Sequence, residues 1–119
     1  MKKALIIIDH GSRLKAANDM IFDVVNKLRK EKPDIIIEGC HMEIADPTIE
    51  ETIDLCVKKG ATHIVAQPFM LSPGRHSTSD IPDLVHEASK KHPSVQIEVK
   101  GHFGLHDFIS KIIIDSSGL

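Results

Sequence analysis

Tryptophan and tyrosine are absent from this 119-residue chain, and four phenylalanines are its only aromatics. A basic run interleaved with aromatic side chains, the pattern that grips nucleic acid, is therefore missing. A formal net charge of −2 gives no electrostatic reason for that partner either. Long hydrophobic runs are also missing. Met1-Lys2-Lys3 leads into only five consecutive apolar residues, Ala4 to Ile8, before Asp9. A membrane span needs about 18 or more, and a secretory signal needs a longer apolar region with a small-residue cleavage site. The run reads as a buried strand, no membrane partner is expected, and the expected location is the cytoplasm. Cysteine is scarce: Cys40 and Cys56 lack C-x-x-C spacing and further partners. They cannot build a four-cysteine zinc site or hold an all-cysteine iron–sulfur cluster within one chain. Both fall in strand or helix patterns, where a small buried thiol is the common outcome.

What is present is an ordinary globular composition, 41% hydrophobic and 27% charged, of a length suited to one domain over residues 1–119. Strand and helix signals alternate four times. The strand candidates are Ile/Val-rich runs at Ala4–Ile8, Ile35–Met42, Ile64–Leu71 and Val95–Gly101. Near-continuous apolar strands are expected where helices cover both sheet faces. Ile21, Val24, Val25 and Leu28 share one helical face, stopped at Lys32-Pro33. Asp46-Pro47 reads as an N-cap with proline at the first helical position, followed by Glu50 and Glu51 in the first turn. Ile49, Ile53 and Val57 continue that face, and Lys58-Lys59-Gly60 closes it. Ile81, Leu84, Val85 and Ala88 make a third helix, and Leu105, Phe108, Ile109 and Ile112 a shorter fourth. The pattern predicts an α/β fold, a flavodoxin-like three-layer sandwich around a four-stranded parallel sheet. The predicted order is 2-1-3-4, because a doubly wound sheet needs a switch point beside strand 1.

Ligands of open α/β sheets bind at the carboxyl ends of the strands. His10 follows strand 1, Glu43 ends strand 2, His76 follows strand 3 by a Ser-Pro-Gly-Arg loop, and His102 follows strand 4. Asp9-His10-Gly11-Ser12-Arg13 is the sharpest local motif: the glycine allows a tight turn that holds the histidine at the rim, with Ser12 and Arg13 open to anionic or polar groups. Pro73-Gly74-Arg75-His76-Ser77 repeats the device after strand 3, and Arg75 can pair with a carboxylate in bidentate fashion. Each motif taken alone also reads as a turn with a solvated side chain. Together, His10, Glu43 and His76 make a ligand set for a first-row divalent metal, or equally a set of acid/base groups. His41 shares a strand face with Glu43, because side chains alternate along a strand. His41, His102 and His106 are open between auxiliary metal delivery and packing or surface roles. His63, His86 and His92 read as structural or solvated.

In this order along the chain, Ile8-Asp9-His10-Gly11-Ser12-Arg13, Met42-Glu43-Ile44-Ala45-Asp46-Pro47-Thr48-Ile49, Pro68-Phe69-Met70-Leu71 through Gly74-Arg75-His76 to Asp80-Ile81-Pro82, and Gly101-His102-Phe103-Gly104-Leu105 resemble the small single-domain sirohydrochlorin chelatases. These are class II tetrapyrrole chelatases that insert cobalt, iron or, in one branch, nickel. The resemblance implies a chelatase-like fold and no organic cofactor, the divalent metal being a substrate. It implies that His10 and His76 bind the metal and take protons from the pyrrole nitrogens, with Glu43 assisting. Ser12, Arg13 and Arg75 would orient the substrate's carboxylates. Larger members have two similar domains facing each other, so this chain resembles one half and a homodimer is expected. Two departures stand out. Ile112 to Leu119 is short where relatives often continue a longer helix, which points to weaker dimer packing or a clipped chain, and no histidine-rich tract for metal storage is present. Competing readings are a non-catalytic metal or tetrapyrrole carrier on the same rim, a histidine-phosphatase-like enzyme, and a flavodoxin-like interaction module. The phosphatase needs an arginine just before the histidine, where this chain has Asp9. The interaction module leaves Glu43 and His76 without a role.

Overall fold

Side chains of alternate parity on strand β1 (Lys3–Asp9) leave for opposite faces, and both faces are covered. Ala4, Ile6 and Ile8 enter one core and Ile7 the other, with half-buried Leu5 beside it. The computed structural model describes residues 1–74 and 77–119, residues 77 and 78 by backbone alone. Arg75 and His76 lie outside the described residues. β1 is flanked by β2 (Ile36–His41) and β3 (His63–Pro68), and β4 (Gln96–Val99) adds beyond β3. All pairings are parallel and the order is 2-1-3-4, as the sequence predicts. Helix α1 (Lys15–Glu31) lies on one face, where Ile21 and Val25 meet Ile7 and Ile37. Helices α2 (Ile49–Lys58) and α3 (Ser77–Ser89) cover the other, with Ile53, Cys56, Ile81 and Val85 against Ile6, Ile8 and Ile64. Ile53 is fully buried in this larger core. Ile53→Ala is expected to cost about 2–5 kcal/mol, read as a lower urea midpoint at unchanged slope. A loss under about 1 kcal/mol would show that the core collapses around the gap.

β2 is an edge strand, and its edge is closed by side chains and a short bridge. Arg29 of α1 donates to the Ile37 carbonyl at 3.0 and 2.7 Å and to Glu38 at 2.6 Å, while Lys59 reaches Glu38 at 3.1 Å. The Glu38 carboxylate is thus buried with two cations, as burial of a charge requires. Farther along, the His41 amide donates to the Pro47 carbonyl at 3.0 Å, so the incoming segment of α2 covers the strand end.

Three local expectations are corrected. The N-cap of α2 is Thr48, not Asp46: its hydroxyl accepts the Glu51 amide at 3.1 Å and donates to the Glu51 carboxylate at 3.1 Å. The hydroxyl thus satisfies one of the free amides of the first turn, as an N-cap does, and the Pro47 carbonyl serves β2 instead. β2 ends at His41, so His41 and Glu43 do not share a strand face. The fourth helix, α4 (Asp107–Ser117), starts after Leu105 and buries none of its residues. The alternation on β4 supplies the reason. Ile97 and Val99 pack toward the core of α3, whereas Gln96 and Glu98 are exposed on the other face and give an apolar helix nothing to cover.

Candidate active site

The chain leaves β1 at Asp9 and turns at once. Gly11 has φ +87°, in the left-handed region that favours glycine. It also packs against the neighbouring loop: a Cβ built there would stand 1.8 Å from the Glu43 carbonyl oxygen. The hydrogen-bond ladder of β1 and β2 continues beyond both strands, Met42 N–H to the Asp9 carbonyl at 2.8 Å and Glu43 N–H to the His10 carbonyl at 3.2 Å. His10 and Glu43 are therefore neighbours by backbone pairing, and both are exposed.

Glu43 is held there by a strained turn. Ile44 has φ +75°, and the Ala45 amide donates across it to the Glu43 carbonyl at 2.9 Å. This is a γ-turn with positive φ, rare and strained, and a β-branched residue in that region is an outlier. Ile44 is 62% exposed, so burial does not compensate the strain. Backbone strain of this kind clusters at functional sites.

The rest of the His10 loop is fixed through α1. The Asn18 carboxamide accepts from the Ser12 amide at 2.8 Å and donates to the Ser12 carbonyl at 2.6 Å. The Ser12 hydroxyl accepts the Leu14 amide at 3.0 Å, leaving its own O–H to donate outward. Arg13 is exposed. Of the six residues singled out by sequence, His10, Ser12, Arg13 and Glu43 come together on the rim of the β1 and β2 loops. Arg75 and His76 fall outside the described residues. Just after β3, the Phe69 amide donates to the Ile8 carbonyl at 2.6 Å, directly beside the end of β1.

The β3 and β4 loops are joined in the same manner. Phe103 and Gly104 amides donate to the Met70 and Leu71 carbonyls at 2.8 and 2.9 Å, and Phe69 and Phe103 meet edge to face at 5.7 Å. His102 is exposed there. His106 caps α4, its Nδ1 accepting the Phe108 amide at 3.1 Å. His63 bonds Thr62 at the opposite end of the sheet, His86 is exposed, and His92 pairs with Asp54 at 2.7 Å. That ring, with Lys91, holds the Asp54 carboxyl below its usual range.

Sequence reasoning missed one group. His41 is 1% exposed, and its Nδ1 lies 2.5 Å from Asp9 Oδ1, which also accepts the Gly11 amide at 3.0 Å. The signal was the register: parallel pairing of strands 1 and 2 sets Asp9 opposite His41. Both cysteines are buried, and burial pushes their thiols up to about 12, which leaves them poor ligands and nucleophiles at neutral pH. Among the described residues no group of three His, Cys, Asp or Glu side chains is placed to hold a metal. The described part of the rim is an open pair, His10 and Glu43, that can bind or exchange a proton or a labile cation.

The CbiX family model matches residues 4–117. The chain is 36% identical over 111 residues to the chloroplastic sirohydrochlorin ferrochelatase of Arabidopsis thaliana, covering 93% of this chain and 49% of that protein. The crystal structure of the sirohydrochlorin chelatase SirB from Bacillus subtilis subspecies spizizenii, in complex with cobalt, superimposes with a TM-score of 0.85 at 32% identity, over 93% of this chain and 47% of that one. A CbiX protein from Marinobacter aquaeolei matches in fold, with a TM-score of 0.84 at 19% identity over 98% of this chain and 94% of its own. The chain thus spans about half the length of the first two.

Proposed function

This chain belongs to the CbiX family, and on that premise we propose that it inserts a divalent metal ion, cobalt or iron and by extension nickel, into sirohydrochlorin. The observation that carries the reading is the junction of His10 and Glu43 on one open rim, zipped together by the Glu43–His10 backbone bond, in a chain matched by that family almost end to end. Two pyrrole N–H protons must leave as the dication enters, so bases must stand over the centre of the macrocycle. His10 and His76 hold the metal ion as substrate and accept these protons, since neutral imidazole does either near neutral pH. Glu43 passes protons outward to solvent. Ser12, Arg13 and Arg75 engage the peripheral carboxylates, the arginines as bidentate donors. No organic cofactor takes part. A soluble polycarboxylate substrate suits a cytoplasmic enzyme, and among the described residues no helix is long and apolar enough to cross a membrane.

The working unit is a homodimer. The first two relatives above are about twice as long as this chain, and a domain of this size offers a tetrapyrrole a face, not an enclosing cleft. α4 leaves Phe108, Ile112, Ile113 and Ile114 between 57% and 62% exposed, a surface suited to a second copy. Ile113→Asp is expected to weaken self-association at least about tenfold, 1.4 kcal/mol, measured by light scattering across a dilution series. An unchanged dimer in that variant would move the interface elsewhere.

The functional test is anaerobic absorbance with sirohydrochlorin and Co²⁺, Fe²⁺ or Ni²⁺ in turn. A protein-dependent shift of the macrocycle's visible bands is expected, and relative rates rank the metals. An unchanged spectrum with all three metals would sink the proposal.

A further inference from the structure

Taking the rim as the insertion site, we propose that His41 and Asp9 are positioning residues that lock His10 and Glu43 into register. Neither is assigned a contact with substrate. Asp9 Oδ1 accepts the Gly11 amide at 3.0 Å, which fixes the turn carrying His10. Because that oxygen is already an acceptor, the network assigns the proton to Nδ1 of His41, which donates to it across 2.5 Å. His41 belongs to β2, whose chain reaches Glu43 two residues later. One side-chain bond therefore ties the loop bearing His10 to the loop bearing Glu43.

The imidazole is costly at this place. Its side chain is fully buried, and its Nε2 finds no hydrogen-bond partner among the described residues. The ring also packs edge to face on Phe22 at 5.8 Å, an apolar contact that a hydrocarbon side chain could equally make. Buried polar atoms left unpaired are uncommon and call for a compensating role. The bond from Nδ1 to Asp9 is that role. The backbone repeats the logic, since Gly11 fits only because no Cβ stands between its turn and the Glu43 carbonyl.

The test compares His41→Leu, which removes the donor, with His41→Asn, whose Nδ2 can stand in for Nδ1. Insertion of Co²⁺ into sirohydrochlorin gives kcat and KM, and exchange of the Gly11 amide by NMR reports the turn without turnover. In His41→Leu, kcat is expected to fall about 10- to 100-fold, as for loss of groups that orient a reacting side chain. KM for the tetrapyrrole stays within about twofold, and Gly11 exchange quickens at least about tenfold. His41→Asn restores most of both. A folded His41→Leu with wild-type kcat and Gly11 exchange overturns the proposal, as does an Asn variant no better than Leu. Should His41→Leu fail to fold, Asp9→Ala at the half-buried partner is expected to show the same kcat loss at constant KM, and wild-type kcat there is equally contrary. If the wild-type protein inserts no metal, the reading of function fails. Faster Gly11 exchange in His41→Leu then still supports the positioning role, and unchanged exchange removes it.

Discussion

Gly11→Ala is expected to lower stability by about 2–3 kcal/mol and to remove metal insertion in the same stroke. The residue sits at φ +87°, where an L side chain is strained before any contact is considered. An added Cβ would also lie 1.8 Å from the Glu43 carbonyl oxygen, 3.0 Å from its carbonyl carbon and 3.3 Å from the Cβ of His41. The two closest atoms are backbone, so no rotamer change relieves the clash. Accommodating the methyl group means parting the β1 and β2 loops, which breaks the Glu43–His10 backbone bond and separates the proposed proton acceptor His10 from Glu43, the group proposed to pass its protons outward. Urea unfolding and the insertion assay on the same preparation check both halves. Wild-type stability would show that the loops separate freely, and wild-type turnover would show that their contact is irrelevant to the chemistry.

His10→Ala is the converse case, a large loss of rate with little loss of stability. The side chain is exposed at the strand end, and substitutions at such positions usually change stability by no more than about 0.5 kcal/mol. A positioned acid/base group contributes about 10²–10⁴ in rate, and a metal-holding role adds to that. The expected variant unfolds at the wild-type urea concentration, still binds sirohydrochlorin, and inserts metal at least about a hundredfold more slowly. A variant with full turnover would remove His10 from the mechanism and leave Glu43 as the only proposed base on the described rim.

Much of this architecture was legible in the sequence for identifiable physical reasons. The Ile-rich run Leu5 to Ile8 can be satisfied only where helices cover both faces, which makes β1 central and parallel. The turn residue Gly11 and the polar residues following the apolar runs located the rim. What escaped depended on geometry between segments. Thr48 displaced Asp46 as the cap because its hydroxyl reaches the Glu51 amide, while the Pro47 carbonyl was already engaged with His41. The His41–Asp9 bond required knowing the register of two strands, and read along one strand alone His41 passed for a companion of Glu43. The exposure of α4 follows from the alternation on β4, where Gln96 and Glu98 give one face of the strand a polar surface that an apolar helix does not cover. The strain at Ile44 has no local sequence signal, since isoleucine is among the least suited residues for positive φ.

The most direct test of the central claim is the yield of metallated product per protein site when sirohydrochlorin and Co²⁺ both exceed the protein manyfold under anaerobic conditions. Insertion catalysed at the rim gives a yield that keeps rising well past one per site until substrate is exhausted. A plateau at one per site, reached however quickly, would contradict catalysis and make the chain a carrier that holds its cargo on the same rim.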